Sequence, residues 1–169
     1  MLTVGSNRTP DLLPFAAVST ESSPMNTHRL TDSARVAALA RGLNRVAVLG
    51  IKTEAQAEQP AYYVAAYLVE AGVDVVPVPV YYPDATEILG RPVVRDLKSI
   101  TGPLDAVIVF RRPADITAHV ADLLALHPRA VWLQQGIRNE AAAQALAEAG
   151  IDVVEDRCVM VEHRRAKGA

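Results

Sequence analysis

The sequence predicts an α/β protein in which a doubly wound, mostly parallel sheet of five strands lies between two layers of helices. Short apolar runs rich in β-branched residues recur along the chain, and stretches with helical periodicity separate them. The first run, residues 45–49, ends at Gly50, and Pro60 follows at a position that suits the first turn of a helix. A strand, a glycine turn and a helix in this order open a nucleotide-binding α/β unit, so we expect a three-layered fold.

The composition is that of one compact domain without general affinity for polyanions. The chain has 169 residues, of which 50% are hydrophobic and 21% are charged, enough to bury a sizeable core. Its net charge of −2 gives no general attraction to nucleic acid or to anionic membranes. The single cysteine excludes an internal disulfide, and no apolar run approaches the roughly 20 residues that a membrane-spanning helix needs. We therefore expect a cytoplasmic protein with neither nucleic acid nor membrane as a partner.

The N-terminal region differs in composition from the part of the chain that follows it. Residues 1–26 carry Gly, Ser, Thr and Pro with few periodic apolar positions, which predicts a flexible tail, and Met25 is an alternative start. We expect one folded domain over residues 27–165 and a short C-terminal tail over residues 166–169.

In the first half of the domain, the helical pattern begins after Thr31, which we expect to be its N-cap. The first strand follows, and a helix is predicted over residues 60–72. The second strand covers residues 73–78, and the prolines within and after it forbid ladder hydrogen bonds except at a sheet edge. Residues 87–93 predict an irregular excursion with a brief extended piece.

In the second half, two helices alternate with three further strands. The strands are predicted over residues 104–110, 130–134 and 151–154. Asp115 is expected to cap the first of these helices and Asn139 the second. The segment after the last strand is expected to be a basic tail.

Cations follow four of the five predicted strands. They are Lys52, Arg111 with Arg112, Arg138 and Arg157. Because ligands of an open α/β sheet bind outside the carboxyl ends of its strands, this rim of cations predicts a phosphate-bearing ligand. Two aromatic rings, Tyr81 and Tyr82, follow the second strand and offer a stacking surface for a purine. The alternative is that exposed loops simply carry charge.

An ordinary NAD site is not expected. The dinucleotide fingerprint G-x-G-x-x-G is absent, because Gly50 is the only glycine between Gly42 and Gly72. The second strand also ends without the acidic residue that would hold a ribose diol.

A set of short segments, taken in order along the chain, resembles the small stand-alone CoA-binding proteins. The segments cover residues 46–51, 67–68, 77–78, 87–90, 109–111, 131–137 and 156–158. The most specific are Trp-Leu-Gln-x-Gly-Ile in the sixth segment and Asp-Arg-Cys in the seventh. The resemblance covers residues 30–165 and implies a Rossmann-like domain, similar to the N-terminal domain of the succinyl-CoA synthetase α subunit.

The resemblance implies that coenzyme A or an acyl-CoA binds at the carboxyl ends of the strands. The site residues that it implies are Gly50, Ile51, Lys52, Pro79, Val80, Phe110, Arg111, Gln135, Gly136 and Ile137, and the rim cation Arg138 joins them. The chain departs from the family pattern at Lys52, where a serine is usual, and at Gln59 and Ala61 beside the helix-opening proline. Its second strand ends Pro-Val-Pro-Val instead of Pro-Val-Asn-Pro. We expect the Lys52 ammonium to replace lost phosphate contacts with a charge.

Two functions remain open at this point. The first is a non-catalytic CoA- or acyl-CoA-binding protein, and the second is a protein-interaction module on a CoA-binding fold that has lost its ligand. A homo-oligomer is compatible with both. We predict no catalytic residues and no metal site, because no Ser/His/Asp order and no metal-ligand spacing stands out.

Three features near the end of the chain bear on the site. Trp132 is expected in the core, where its indole N–H needs one partner. Gln134 and Gln135 would point to opposite faces of a strand end, so that at most one of them faces the ligand. Cys158 has two interpretations, a mixed disulfide with the CoA thiol or an inert buried cysteine, and we favour the second.

Overall fold

The structure is a computed structural model in which residues 27–168 are described. Seven strands lie within that range: β1 (Arg45–Leu49), β2 (Asp74–Val78), β3 (Glu87–Ile88), β4 (Arg91–Pro92), β5 (Ala106–Val109), β6 (Ala130–Leu133) and β7 (Asp152–Val154). The α-helices of the same range are α1 (Ser33–Arg41), α2 (Pro60–Glu70), α3 (Val120–Leu126), α4 (Glu140–Glu148) and α5 (Val159–Ala166). Short 3-10 helices cover Glu54–Gln56, Leu97–Ser99 and Pro113–His119.

The main sheet has the strand order β2-β1-β5-β6-β7, and every neighbouring pair is parallel. β1 therefore pairs on one side with β2 and on the other with β5. The direction of winding reverses between these two neighbours, and the crevice outside the carboxyl ends of β1 and β5 is the topological switch point. The predicted doubly wound, five-stranded parallel sheet is confirmed. The excursion before β5 contains a separate antiparallel pair, β3 with β4.

The central strands β5 and β6 are apolar and buried along their whole length because helices cover both faces of the sheet. α1, α2 and α5 pack on one face, where they bury Val46 and Val48 of β1. α3 and α4 pack on the other face with Ala47 and Leu49. Successive residues of β1 thus enter opposite layers, and burying each Val or Leu contributes about 1.5–3 kcal/mol relative to leaving it exposed. The three-layered architecture is the consequence.

The two edges of the sheet are protected in different ways. β2 is an edge strand, as its proline requires, and Pro77 lies within it. At the opposite edge, the chain before α1 runs beside β7. The amide of Leu30 donates to the carbonyl of Val153 at 2.9 Å, and the amide of Val153 donates to the carbonyl of His28 at 2.7 Å. This short added segment covers an edge that would otherwise be open to pairing with another chain.

Two predicted helix caps are wrong. α1 is capped by Asp32 and not by Thr31: one carboxylate oxygen of Asp32 accepts from the amide of Ala34 at 2.6 Å. A charged acceptor makes the stronger hydrogen bond, which explains why the aspartate takes the position. Asp115 caps no α-helix, because it lies inside the 3-10 helix before α3. The second predicted cap, Asn139, is confirmed by the bond from the amide of Ala142 to its side-chain oxygen at 2.9 Å.

The predicted basic tail is also wrong, because residues 159–166 form α5. The segment is rich in charged residues, but one face of the helix is buried. That face consists of Val159, His163 and Ala166, at positions i, i+4 and i+7. Histidine counts as polar in a sequence pattern, yet His163 is only 2% exposed and its Nδ1 lies 2.8 Å from the hydroxyl of Tyr67. Burial lowers the pKa of His163 and favours the neutral ring.

The predicted N-terminal tail, residues 1–26, lies outside the described residues. Across residues 27–168, none of the helices combines the length and the apolar character that crossing a membrane requires.

Candidate ligand-binding site

An open cleft of about 630 Å³ lies outside the carboxyl ends of β1, β5 and β6. It is bounded by the loop after β1, the first two turns of α2, the loops after β5 and β6, and the start of α5. The lining residues are Lys52, Gln59, Pro60, Ala61, Tyr63, Val64, Phe110, Arg111, Arg112, Pro113, Gln134, Gln135, Gly136, Ile137 and Cys158. The cleft therefore opens at the switch point of the sheet, where the fold predicts a ligand.

The loop after β1 and the loop after β5 meet with their backbones in close contact. Gly50 has a φ of 85°, a conformation that favours glycine, and its amide donates to the carbonyl of Val78 at 2.8 Å. A Cβ added to Gly50 would lie closer than 3.0 Å to the carbonyl oxygen of Phe110. Only glycine at this position lets the two loops form one wall of the cleft.

Lys52 is held against the start of α2. Its amide donates to the carbonyl of Ala61 at 3.2 Å, which ties the first loop to the first turn of the helix. Pro60 occupies the first turn, as predicted. No carboxylate of residues 27–168 lies within ion-pair distance of the Lys52 ammonium. The cation is thus available to a ligand beside a helix N-terminus, which itself favours anions.

Two further cations follow β5 and share one carboxylate. Arg112 donates to Asp115 at 2.7 Å, and Arg111 lies 3.6 Å from the same carboxylate. The hydrogen bond from Arg112 is the main reason why the pKa of Asp115 is lowered. The Arg111 side chain is 13% exposed, and its buried Nε has no hydrogen-bond partner within residues 27–168. One carboxylate thus offsets two guanidinium groups, and the cleft keeps a positive rim.

Gln134 and Gln135 both line the cleft, so the prediction that at most one of them faces it is wrong. β6 ends at Leu133, and the alternation of faces ends with the strand. Gln134 is 4% exposed, and its Oε1 accepts from the amide of Val159 at 3.4 Å. Its buried Nε2 has no partner in the described part of the chain. The cleft wall therefore contains an unused amide donor.

The Asp-Arg-Cys segment supports the loop after β6. The carboxylate of Asp156 accepts from the amide of Gly136 at 2.7 Å and from Arg138 at 3.2 Å. The carbonyl of Arg157 accepts from the indole N–H of Trp132 at 2.8 Å, which confirms Trp132 as a core residue with one partner. The two most specific segments of the sequence thus contact each other, and the contact positions residues 135–137.

Lowering the pH should weaken this support. The hydrogen bond from the Gly136 amide lowers the pKa of Asp156 below its ordinary value of 3.8. Its stabilising contribution is therefore complete above that value and is lost as the pH falls through the folded-state pKa. We expect Asp156→Asn to lose less stability than the wild type between about pH 5 and about pH 2, measured as melting temperature.

Because other carboxylates titrate in the same range, the quantity of interest is the difference between the two proteins. Parallel curves for the wild type and Asp156→Asn would contradict this role of Asp156.

Pro79 and Val80 lie in a different cavity from the other implied site residues. This second cavity, about 670 Å³, is bounded by the loop after β2 and by residues 95–98, His119 and Asp122. Arg95 holds that loop by donating to the carbonyls of Tyr82 and Ala85, at 2.8 and 2.6 Å. The guanidinium of Arg111 lies 5.8 Å from the centre of the Tyr81 ring, so Arg111 stands between the two cavities.

The two tyrosine rings do not form one stacking surface. Their planes are inclined by 83° with ring centres 6.5 Å apart. Tyr81 is 61% exposed and lines the second cavity, so one ring at most is available to a purine.

The structure thus brings together part of the predicted set. Lys52, Phe110, Arg111 and residues 135–137 line the same cleft. Ile51 is 1% exposed and its side chain belongs to the core, which leaves its backbone as the reachable part. The rim cations Arg138 and Arg157 lie apart from the cleft, in a smaller cavity of about 340 Å³ beside β7. Arg138 pairs with Asp156, and Arg157 pairs with Glu162.

The sequence pattern alone did not identify several of the residues that line the cleft. Tyr63 and Val64 lie on the first turns of α2, and their positions after a helix-opening proline at a switch point are a signal that could have identified them. Arg112 follows Arg111 and was recognised only as a rim cation. Cys158 was expected to be buried, but it is partly exposed and lines the cleft.

A parallel sheet between two layers of helices, with a cleft at its switch point, defines the class of Rossmann-like α/β domains. Within that class, residues 44–164 match the CoA binding domain family, and the chain belongs to that family. The resemblance seen in the sequence is confirmed.

The chain is also similar to individual proteins of known sequence or structure. The chain is 35% identical to YneT of Bacillus subtilis (strain 168) over 123 residues, which cover 73% of this chain and 87% of YneT. The structure of cell-free ID.343 from Thermus thermophilus shows 40% identity and a TM-score of 0.72, covering 80% of this chain and 98% of that chain. A hypothetical protein from Pyrococcus horikoshii OT3 shows 27% identity and a TM-score of 0.71, covering 81% and 93%.

Proposed function

We propose that this protein binds coenzyme A or an acyl-CoA, without catalysis, in the cleft at the carboxyl ends of β1, β5 and β6. The observation that carries the proposal is the placement of Lys52, Arg111 and Arg112 around one opening beside the N-terminus of α2. Three cations at a helix N-terminus suit the phosphates of a nucleotide. Membership of the CoA binding domain family supports CoA as that nucleotide.

The other residues that line the cleft suit the uncharged arm of CoA, which links its phosphates to its thiol. Phe110, Tyr63 and Ile137 offer apolar surface, and Gln134 offers an amide donor. The arm of CoA combines methylene groups with amide carbonyls that can accept from such a donor. A cleft of about 630 Å³ is within the range of small-molecule sites.

The non-catalytic part of the proposal rests on the sequence, which lacks a nucleophile with a general base in a recognised order. Within residues 27–168, no group of three or more His, Cys, Asp or Glu side chains is placed to hold a metal ion. A cytoplasmic location and self-association remain predictions.

Calorimetry with CoA, acetyl-CoA, NAD and ATP tests the proposal. We expect CoA or acetyl-CoA to bind more tightly than NAD, because the chain lacks the acidic residue that holds the ribose of NAD. Failure of both CoA species to bind at about millimolar concentration, an interaction of about 4 kcal/mol, would refute it.

The alternative, an interaction module without a ligand, makes the opposite prediction for the isolated protein. Mass spectra of freshly purified protein under native conditions should show bound CoA if our proposal holds. The open cleft and its unused amide donor favour ligand binding, because burying an unpaired donor costs about 1–3 kcal/mol.

A further inference from the structure

The chain's single cysteine lines the cleft in which we propose that CoA binds. Cys158 directly precedes α5, is partly exposed and lines the cleft. Neither the fold nor the proposed binding of phosphates uses this thiol. It lies in the wall formed by the end of β6 and the start of α5.

A second group in the same wall points to a ligand. Gln134 is more than nine-tenths buried, and its Nε2 has no hydrogen-bond partner among residues 27–168. The other end of its amide accepts from the amide of Val159, the residue next to Cys158. The unused donor and the thiol are therefore neighbours on the cleft wall. A ligand arm that satisfies Gln134 passes close to Cys158.

The order of the strands separates the two ends of the cleft. Lys52 follows β1 and Arg111 follows β5, whereas Gln134 follows β6 and Cys158 comes after β7. Neighbouring strands lie about 4.8 Å apart, so the thiol is displaced from the cations along the sheet. CoA has its phosphates at one end and its thiol at the other. Phosphates held by the cations direct the arm towards β6 and Cys158.

We propose that Cys158 forms a reversible mixed disulfide with the thiol end of CoA bound in this cleft. The inference rests on the proposed function. In the step, the Cys158 thiolate attacks one sulfur of CoA disulfide, the bond between the two CoA sulfurs breaks, and the departing CoA leaves as a thiolate that takes a proton from water. The cysteine is oxidised and one CoA is reduced, so electrons balance without another oxidant.

The experiment compares two disulfides on the reduced wild-type chain after the reductant has been removed. CoA disulfide and oxidised glutathione, at equal concentration and pH, are followed by intact-protein mass spectrometry. We expect one adduct per chain with CoA disulfide, formed at least about tenfold faster than with oxidised glutathione, because binding holds the reacting sulfurs together. Excess acetyl-CoA, whose thiol is blocked, should slow the reaction, and dithiothreitol should reverse it.

Cys158→Ser is the matched control, because it keeps the cleft and removes the sulfur. It should form no adduct, and an unchanged melting temperature would show that the variant is folded. If acetyl-CoA binds but the two disulfides react at equal rates, or no adduct forms, the inference is wrong and the proposed function stands. If neither CoA nor acetyl-CoA binds the wild type, the proposed function fails and the inference fails with it.

Discussion

Gly50→Ala should lower the free energy of unfolding by about 3 kcal/mol, the largest effect on stability that we expect from a one-atom change in this site. Two costs combine. The backbone at Gly50 has a φ of 85°, where a side chain is strained, and the new Cβ would collide with the carbonyl oxygen of Phe110. Chemical denaturation gives the free energy directly. For a chain of this size the melting temperature should fall by about 10 °C.

Gly72→Ala is the matched control for this prediction. Gly72 has a similar φ of 88°, but an added Cβ there meets nothing within 4 Å. The control should therefore show only the cost of the left-handed backbone, about 1 kcal/mol. Equal losses in the two variants would mean that the close approach of Phe110 to Gly50 contributes nothing.

The fold could be predicted from the sequence because its signals are local and repeated. The apolar run of β1, the glycine that ends it and the proline that opens α2 all act within 16 residues of chain, from Arg45 to Pro60. The alternation of strands and helices then predicts a parallel sheet with helices on both faces. The proline within β2 is also a local signal. It has no backbone N–H to donate to a neighbouring strand, so it indicates an edge strand.

The site was less predictable because it depends on contacts between distant segments. Arg138 follows a strand like the other rim cations, but Asp156 holds its side chain away from the cleft. Cys158 and Gln134 are 24 positions apart in the sequence, and the folded chain brings them together through the bond from Val159 to Gln134. α5 was missed because the buried stripe that fixes it includes His163, whose partner Tyr67 belongs to another helix.

Lys52→Ala should weaken CoA binding by about tenfold to about a hundredfold, the largest effect on affinity that we expect from a single substitution. A hydrogen bond between charged groups contributes about 1.5–3 kcal/mol, which corresponds to that range of dissociation constants. The Lys52 backbone is fixed to the first turn of α2 through Ala61, where a pyrophosphate would meet the helix N-terminus. Calorimetry with CoA on the wild type and the variant measures the difference.

Salt and a second lysine distinguish this contact from a general effect of charge. Because the cleft is open to solvent, the difference between the wild type and Lys52→Ala should shrink as the salt concentration rises. Lys167→Ala removes the same charge from an exposed position after α5 and should leave the affinity unchanged. Unchanged affinity in Lys52→Ala would show that its ammonium remains in solvent. The phosphates would then depend on Arg111 and Arg112, since Arg138 lies in a separate cavity.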